Sequence, residues 1–359
     1  MKKAIKIIGM MCMGAMLFLG ASSCKKTEKV SSFNIGLPAI EGESGISDDS
    51  KAYMDLIAND MKWYEGDNVM IYSIDEDHTQ SQAYVFHGDE NITGASIAHF
   101  TGYYMAEGSE GFFAFYPTTK ASTEIRHDNY VTFNVGETQK HETDLFANTS
   151  YAGRIFMDPR CVVAAATCDV VDHSAQFNLQ HIFGYYNVRI KNTGVADGVV
   201  DKRLKSVTIT DNSLHLTGSM SVMLDKVKSA DLAGMRQYGL NYRDNLPSGT
   251  ETGTSAAQYW AGINETLQHI GYIGNGTGFS VTLDCSAADN SKGAPITNKN
   301  KFFLMALRPG ALMNGFTITL TYMDNTYNEF TVGANRKCIS IPGYYTVISI
   351  DLKNNSITY

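Results

Sequence analysis

The chain has 359 residues, a formal charge of −8 and 18% charged residues. That length suggests two domains, and no basic block is large enough to track a phosphate backbone, which argues against a nucleic-acid partner. The moderate acidic excess favours solubility and names no partner.

Lys2, Lys3 and Lys6 make a basic start, Ile7 to Gly20 carries no charge, and Ala21-Ser22-Ser23-Cys24 follows. A basic start, a short apolar run and small residues at the cut describe a secretory signal peptide over residues 1–23. The run is shorter than the roughly 20 apolar residues of a comfortable membrane span. Small residues directly before a cysteine resemble a bacterial lipobox, in which the thiol receives a diacylglyceryl group. Cys24 is therefore the expected lipidation site, with outer-membrane lipid as its partner. Several acyl chains, at about 0.8 kcal/mol per buried CH₂, make a firm anchor. Ordinary cleavage after Ser23 is the alternative, and both readings export the protein. Six cysteines are present. Cys12 leaves with the leader, so Cys161, Cys168, Cys285 and Cys338 remain beside Cys24. If Cys161 to Cys168 form one strand, their thiols lie about 23 Å apart on opposite faces and cannot bridge. Buried free thiols are expected, with a Cys285–Cys338 bridge as the alternative.

Along the chain the pattern is strand-like. A short helix is expected over residues 51–62. Strands follow over Val69–Ile74, Ala83–His87 and the apolar run Phe112–Tyr116, which Pro117 stops. Val207 and Ile209 alternate with threonines, Val281 and Leu283 with Ser280 and Thr282. Phe316, Ile318, Leu320 and Tyr322 alternate with three threonines, and Ile348, Ile350 and Leu352 share a face with Thr346. Turn signals stand between, at Glu65-Gly66-Asp67, Ala196-Asp197-Gly198, Arg308-Pro309-Gly310 and Asn314-Gly315. A second helix is expected over 225–240, and Ser248–Gly278 reads as an insertion loop. Many short strands with turns between them predict an all-β chain of antiparallel sandwiches. The expected units are residues 24–172 and 173–359, divided near Asp172.

No catalytic or metal constellation stands out, and neither an enzyme nor a cofactor is expected. His141-Glu142 lacks the second histidine of a zinc-protease motif, and His78 and His87 have no third ligand. Asp75-Glu76-Asp77 fails as a calcium loop because Gln80 and Phe86 stand where Gly and Glu are needed. Gly274, Gly276 and Gly278 lack the strand-to-helix setting of a phosphate cradle. Adjacent aromatic pairs occur at Tyr103-Tyr104, Tyr185-Tyr186, Tyr259-Trp260 and Tyr344-Tyr345. In strands, each pair should give one ring to the core and one to solvent. Tyr259-Trp260, in the loop, is the candidate glycan contact.

Several stretches together resemble the fimbrillin family, the pilus subunits and related surface lipoproteins of Bacteroidetes. They are Trp63-Tyr64-Glu65-Gly66-Asp67 before the strand from Val69, Phe113-Ala114-Phe115-Tyr116-Pro117, and Asp144-Leu145-Phe146-Ala147. Phe177-Asn178-Leu179-Gln180-His181 leading into Tyr186–Ile190, Leu216-Thr217-Gly218, Phe302–Gly310 and Gly343-Tyr344-Tyr345-Thr346-Val347 complete the series. The resemblance implies two transthyretin-like β-sandwich domains in tandem, lipid anchoring at the outer membrane or in a fimbrium, and assembly with other pilus subunits by strand exchange. A protease would remove a first strand, and a neighbour's strand would fill the groove by main-chain hydrogen bonding. Phe33, Ile35 and Leu37 would be the apolar face of the removable strand. Thr346, Ile348, Ile350 and Leu352 would be the candidate donor face. Family members are cut after arginine, but no arginine follows Cys24 before Arg126, which leaves Lys51 as the candidate processing residue. A pilus subunit, an anchor or tip accessory with a surface ligand, and a lipid-anchored glycan-binding protein of a nutrient uptake system are the resulting function classes.

Overall fold

The computed structural model describes residues 29–36, 54–55, 60–63, 66–74, 82–106, 111–116, 130–141, 163–166, 170–171, 174–223, 229–244, 273–274 and 278–359. Strands are the dominant regular structure among these residues, as the alternation predicts. One sheet has nine strands. In spatial order they are β11 (Val170–Val171), β12 (Ser174–Asn178), β1 (Lys29–Gly36), β6 (Ile97–Ala106), β5 (Gln82–Gly88), β4 (Asn68–Ile74), β7 (Gly111–Tyr116), β10 (Val163–Ala166) and β13 (Gln180–His181). A second sheet runs β20 (Lys301–Leu307), β14 (Gly184–Lys191), β23 (Tyr345–Asp351), β24 (Ser356–Thr358). A third runs β22 (Tyr327–Val332), β21 (Phe316–Tyr322), β15 (Lys202–Asp211), β18 (Ser280–Asp284), β9 (Thr138–Lys140), with β19 (Ala294–Ile296) also on β15. A small sheet joins β17 (Ile273–Gly274), β16 (Gly218–Met223) and β8 (Tyr130–Val135).

Two cores organise these sheets. The first gathers Phe33, Ile35, Trp63, Val69, Ile71, Phe86, Phe100, Phe112, Ala175, Phe177 and Leu179. In a flat sheet β7 would lie about 19 Å from β1, four strand spacings away. The rings of Phe33 and Phe112 are instead 5.4 Å apart, so the nine-stranded sheet coils onto itself around Phe33, as twisted sheets of this size tend to do. The second core draws Tyr186, Val188, Ile190, Phe303, Met305, Ile348 and Ile350 from the second sheet. The third sheet supplies Leu204, Val207, Ile209, Val281, Leu283, Phe316, Ile318 and Leu320 to it. Core membership passes from the first to the second between Leu179 and Tyr186.

Side-chain alternation explains most strand faces. On β21 the four apolar residues are buried and the threonines half-buried. On β15 the buried side changes from Leu204 to Val207 and Ile209, because a bulge against β21 falls between Leu204 and Ser206 and shifts the face by one residue.

Four expectations are corrected. The sheets are mixed, not purely antiparallel: β1–β12, β14–β23 and β18–β9 pair in parallel. Each joins segments far apart in sequence, where no hairpin imposes the antiparallel direction. The helix over 51–62 gives way to a ladder of β2 (Met54–Asp55) with β3 (Asp60–Met61), whose β pairing excludes a continuous helix. Tyr103 and Tyr104 are both exposed, at 75% and 68%. Between the pairs Val30–Met105 and Ser32–Thr101 the ladder shifts register, and three residues of β6 stand opposite one of β1, which releases both rings. Tyr185 and Tyr186 are both buried, because β14 is covered on both faces. The second helix does form, as α1 (Ser229–Asp244). Cys285 and Cys338 are buried and free, without the alternative bridge.

Candidate strand-exchange site

The first strand is the best-defined candidate. β1 lies between β6 and β12, antiparallel to one and parallel to the other. Its alternation places Phe33 and Ile35 in the core at 0% exposure, with Asn34 outward. The Phe33 ring meets Phe86 edge-on at 4.9 Å and lies nearly parallel to Phe177 at 5.1 Å. Such pairs add about 0.5–1.5 kcal/mol beyond area burial. The Trp63 indole N–H donates to the Ile35 carbonyl at 2.9 Å. Leu179 N–H donates to the Gly36 carbonyl at 3.0 Å, continuing the β12 side of the ladder. A Cβ on Gly36 would stand 3.1 Å from Asn178 Oδ1, so the strand ends tightly packed.

Electrostatics contributes little here. The bonds are main-chain ladders, one indole donor and apolar contact, the components by which a strand is held in a sheet. Removing β1 would uncover two sheet edges and the aromatic slot around Phe33. Each large apolar side chain in that slot is worth roughly 1.5–3 kcal/mol of burial.

At the other end, β23 pairs with β14 over seven residues and with β24 over three. Ile348 and Ile350 are in the second core, and Leu352 packs partly buried against it. Thr346 is buried, and its hydroxyl donates to the Ile339 carbonyl at 3.2 Å. The candidate donor face is therefore covered within its own chain. Cys24, Leu37, Lys51, Tyr259 and Trp260 lie outside the described residues, as do Cys161, Cys168 and His78.

Among the described residues no three His, Cys, Asp or Glu side chains gather to hold a metal ion. His141 is buried beside Phe303. Burial, helped by the Lys301 charge, lowers its pKa to about 3, so the ring stays neutral. Its neighbour Gln139 joins two strands through its side chain. The amide donates to the Ala306 carbonyl at 2.8 Å and accepts from the Ala306 N–H at 3.0 Å, imitating one residue of a ladder.

Sequence reasoning missed the walls of the β1 slot. Phe86, Phe112 and Phe177 were visible as apolar strand residues, but nothing local to them signals that they converge on Phe33. Trp63 carried the stronger signal, as one of two tryptophans in the chain, placed directly before a turn and a strand.

No family model matches the sequence, and a search of curated proteins finds no match. Among solved structures, a candidate cell adhesion protein from Bacteroides ovatus is similar, with a TM-score of 0.46 and 11% identity over 92% of this chain and 95% of that one. A fimbrial protein from Bacteroides vulgatus gives 0.38 and 12%, covering 92% and 97%. The tip fimbrial protein Mfa3 from Porphyromonas gingivalis gives 0.35 and 9%, also covering 92% and 97%.

Proposed function

We propose that this chain is a structural, adhesive cell-surface protein of fimbrillin type: a lipoprotein held through Cys24 that joins other pilus subunits by strand exchange, without enzymatic activity. The observation that supports this most is the place of β1. It is the first described strand, yet it sits inside a sheet, with Phe33 and Ile35 at the centre of the first core. A strand so placed completes a fold that is otherwise split between β6 and β12. Once it is withdrawn, an incoming strand with apolar residues at alternate positions can satisfy the same donors and the same slot. The acidic, Gly-rich stretch Glu41–Ser50 and then Lys51 follow it in sequence, where a protease could separate β1 from the body. In this reading the uncut chain is the self-complemented monomer.

The test is an engineered protease site within residues 41–50. The uncut protein should run as a monomer, and the cut protein should form ladders on an unboiled gel. Excess peptide spanning residues 29–37 should suppress those ladders by refilling the slot. A cut chain that releases β1 and still never polymerises would overturn the proposal.

A further inference from the structure

A cavity far in sequence from β1 has the chemistry of a small-ligand site. It has a volume of about 330 Å³ and opens where α1, the turn at Arg336–Cys338, β23 and β24 meet. That volume is at the lower end of the roughly 300–1,000 Å³ of ligand pockets. Arg243 and Lys337 bring positive charge to it, Tyr344 and Tyr359 bring rings, Ser349 and Thr358 bring hydroxyls, and no acidic side chain lines it.

The Arg243 guanidinium lies over the Tyr344 ring at 4.7 Å and also donates to the Tyr344 hydroxyl. Its contact with Asp244 is long, at 3.6 Å, and the Asp244 side chain is more than half exposed, so screening leaves that pair weak. Arg243 Nε is buried without a hydrogen-bond partner among the described residues. The Lys337 ammonium makes neither a hydrogen bond nor an ion pair among them. The charge of both reaches inward: Arg243 and Lys337 each act to lower the pKa of the Cys338 thiol, against the burial that raises it. The site thus holds two cations that no acidic side chain of its lining neutralises.

From this we infer that the cavity binds a small hydroxylated carboxylate, of the size and shape of an acidic monosaccharide. The carboxylate would complement Arg243 and Lys337 through charge-assisted hydrogen bonds. A flat apolar sugar face would lie against the tyrosine rings, and Ser349 and Thr358 would meet its hydroxyls. Lys337 is exposed, so its loss removes one charge with little effect on packing.

The experiment uses the uncut full chain, so its outcome does not depend on strand exchange. Methyl glucuronide, methyl glucoside and sulfate are titrated at one ionic strength, followed by calorimetry or saturation-transfer NMR. The glucuronide should bind, with the neutral glucoside at least tenfold weaker. Lys337→Met should weaken the glucuronide about tenfold, equivalent to about 1.4 kcal/mol, with an unchanged melting temperature. Arg243→Lys should also weaken it, because an ammonium cannot reproduce the stacked planar fork. Absence of glucuronide binding at millimolar concentration would overturn the inference. So would equal binding of the glucoside, sulfate binding as tightly as the glucuronide, or a Lys337→Met variant that binds as well as the parent.

Discussion

Asp211 shows how much a single residue can hold. It closes β15 with its carboxylate buried. One oxygen accepts from the backbone N–H of Ser213 at 2.7 Å and of Leu214 at 2.9 Å, and the other from the N–H of Leu312. Two loops distant in sequence are thereby fixed to one strand end. Asp211→Ala would leave the Leu312 N–H unmet in the interior and the half-buried Leu214 and exposed Ser213 N–H groups without this acceptor, and charged hydrogen bonds are worth about 1.5–3 kcal/mol each before relaxation. A loss near 3 kcal/mol in urea unfolding is expected, and one under about 0.5 kcal/mol would place the residue among neutral surface changes. His141 makes a pH prediction. Its folded pKa is near 3 against about 6.5 in the unfolded chain, so the unfolded state takes up a proton first as pH falls. Stability should therefore be unaffected by this group above pH 6.5 and decline between pH 6.5 and 3. His141→Leu should flatten that acid limb in thermal melts at several pH values, and an unchanged limb would assign the loss to other groups. Some residue-scale features were legible in advance. Asn314-Gly315 reads as a turn from sequence, and Gly315 has φ +93 with the Val332 carbonyl only 2.9 Å from where a Cβ would sit. The reach of Asp211 to Leu312 was not legible, since no local pattern ties residue 211 to a loop 101 positions on.

Elements were legible where periodicity alone decides them. β21 is the clearest case, with threonines and apolar residues alternating as buried and half-buried in the fold. The ladder at Met54–Asp55 was not, because two-residue strands carry no period to read. Parallel partners were also beyond reach. β1 finds β12 more than a hundred residues away, and its choice depends on the shared core around Phe33. The bulge that exposes Tyr103 and Tyr104 likewise arises from pairing with β1. β1 itself supplies a test at this scale. Ile35→Asp would put a carboxylate at a position with 0% exposure, at a cost of several kcal/mol. Burial would raise the pKa of that new acid above its unfolded value. The folded state would then tolerate the variant best at low pH and lose stability as pH rises through the raised pKa. The melting-temperature deficit should accordingly be larger at pH 7 than at pH 4. A melt matching the parent at both would show that β1 does not plug the core.

At the scale of the whole molecule, the proposed strand exchange raises a question of direction: which strand would leave home. β23 has the alternating apolar face of a donor, but Ile348 and Ile350 belong to the second core and seven residues pair with β14. Only the three-residue edge strand β24 covers its other side, so opening from that side is the least costly local step. Deleting residues 346–359 would remove two core isoleucines and confound assembly with unfolding. A reversible lock avoids this. Arg189 and Ser349 stand opposite each other on β14 and β23, at adjacent-strand spacing of about 4.8 Å, within reach of a disulfide. The double variant Arg189→Cys, Ser349→Cys should remain folded and monomeric when uncut, whether oxidised or reduced. After cleavage between residues 41 and 50, the reduced form should form ladders if β23 is the donor, and the oxidised form should not. Adding reductant to the oxidised, cut protein should then start assembly. Ladders formed equally well with the lock closed would mean that β23 stays at home and another segment fills the slot left by β1.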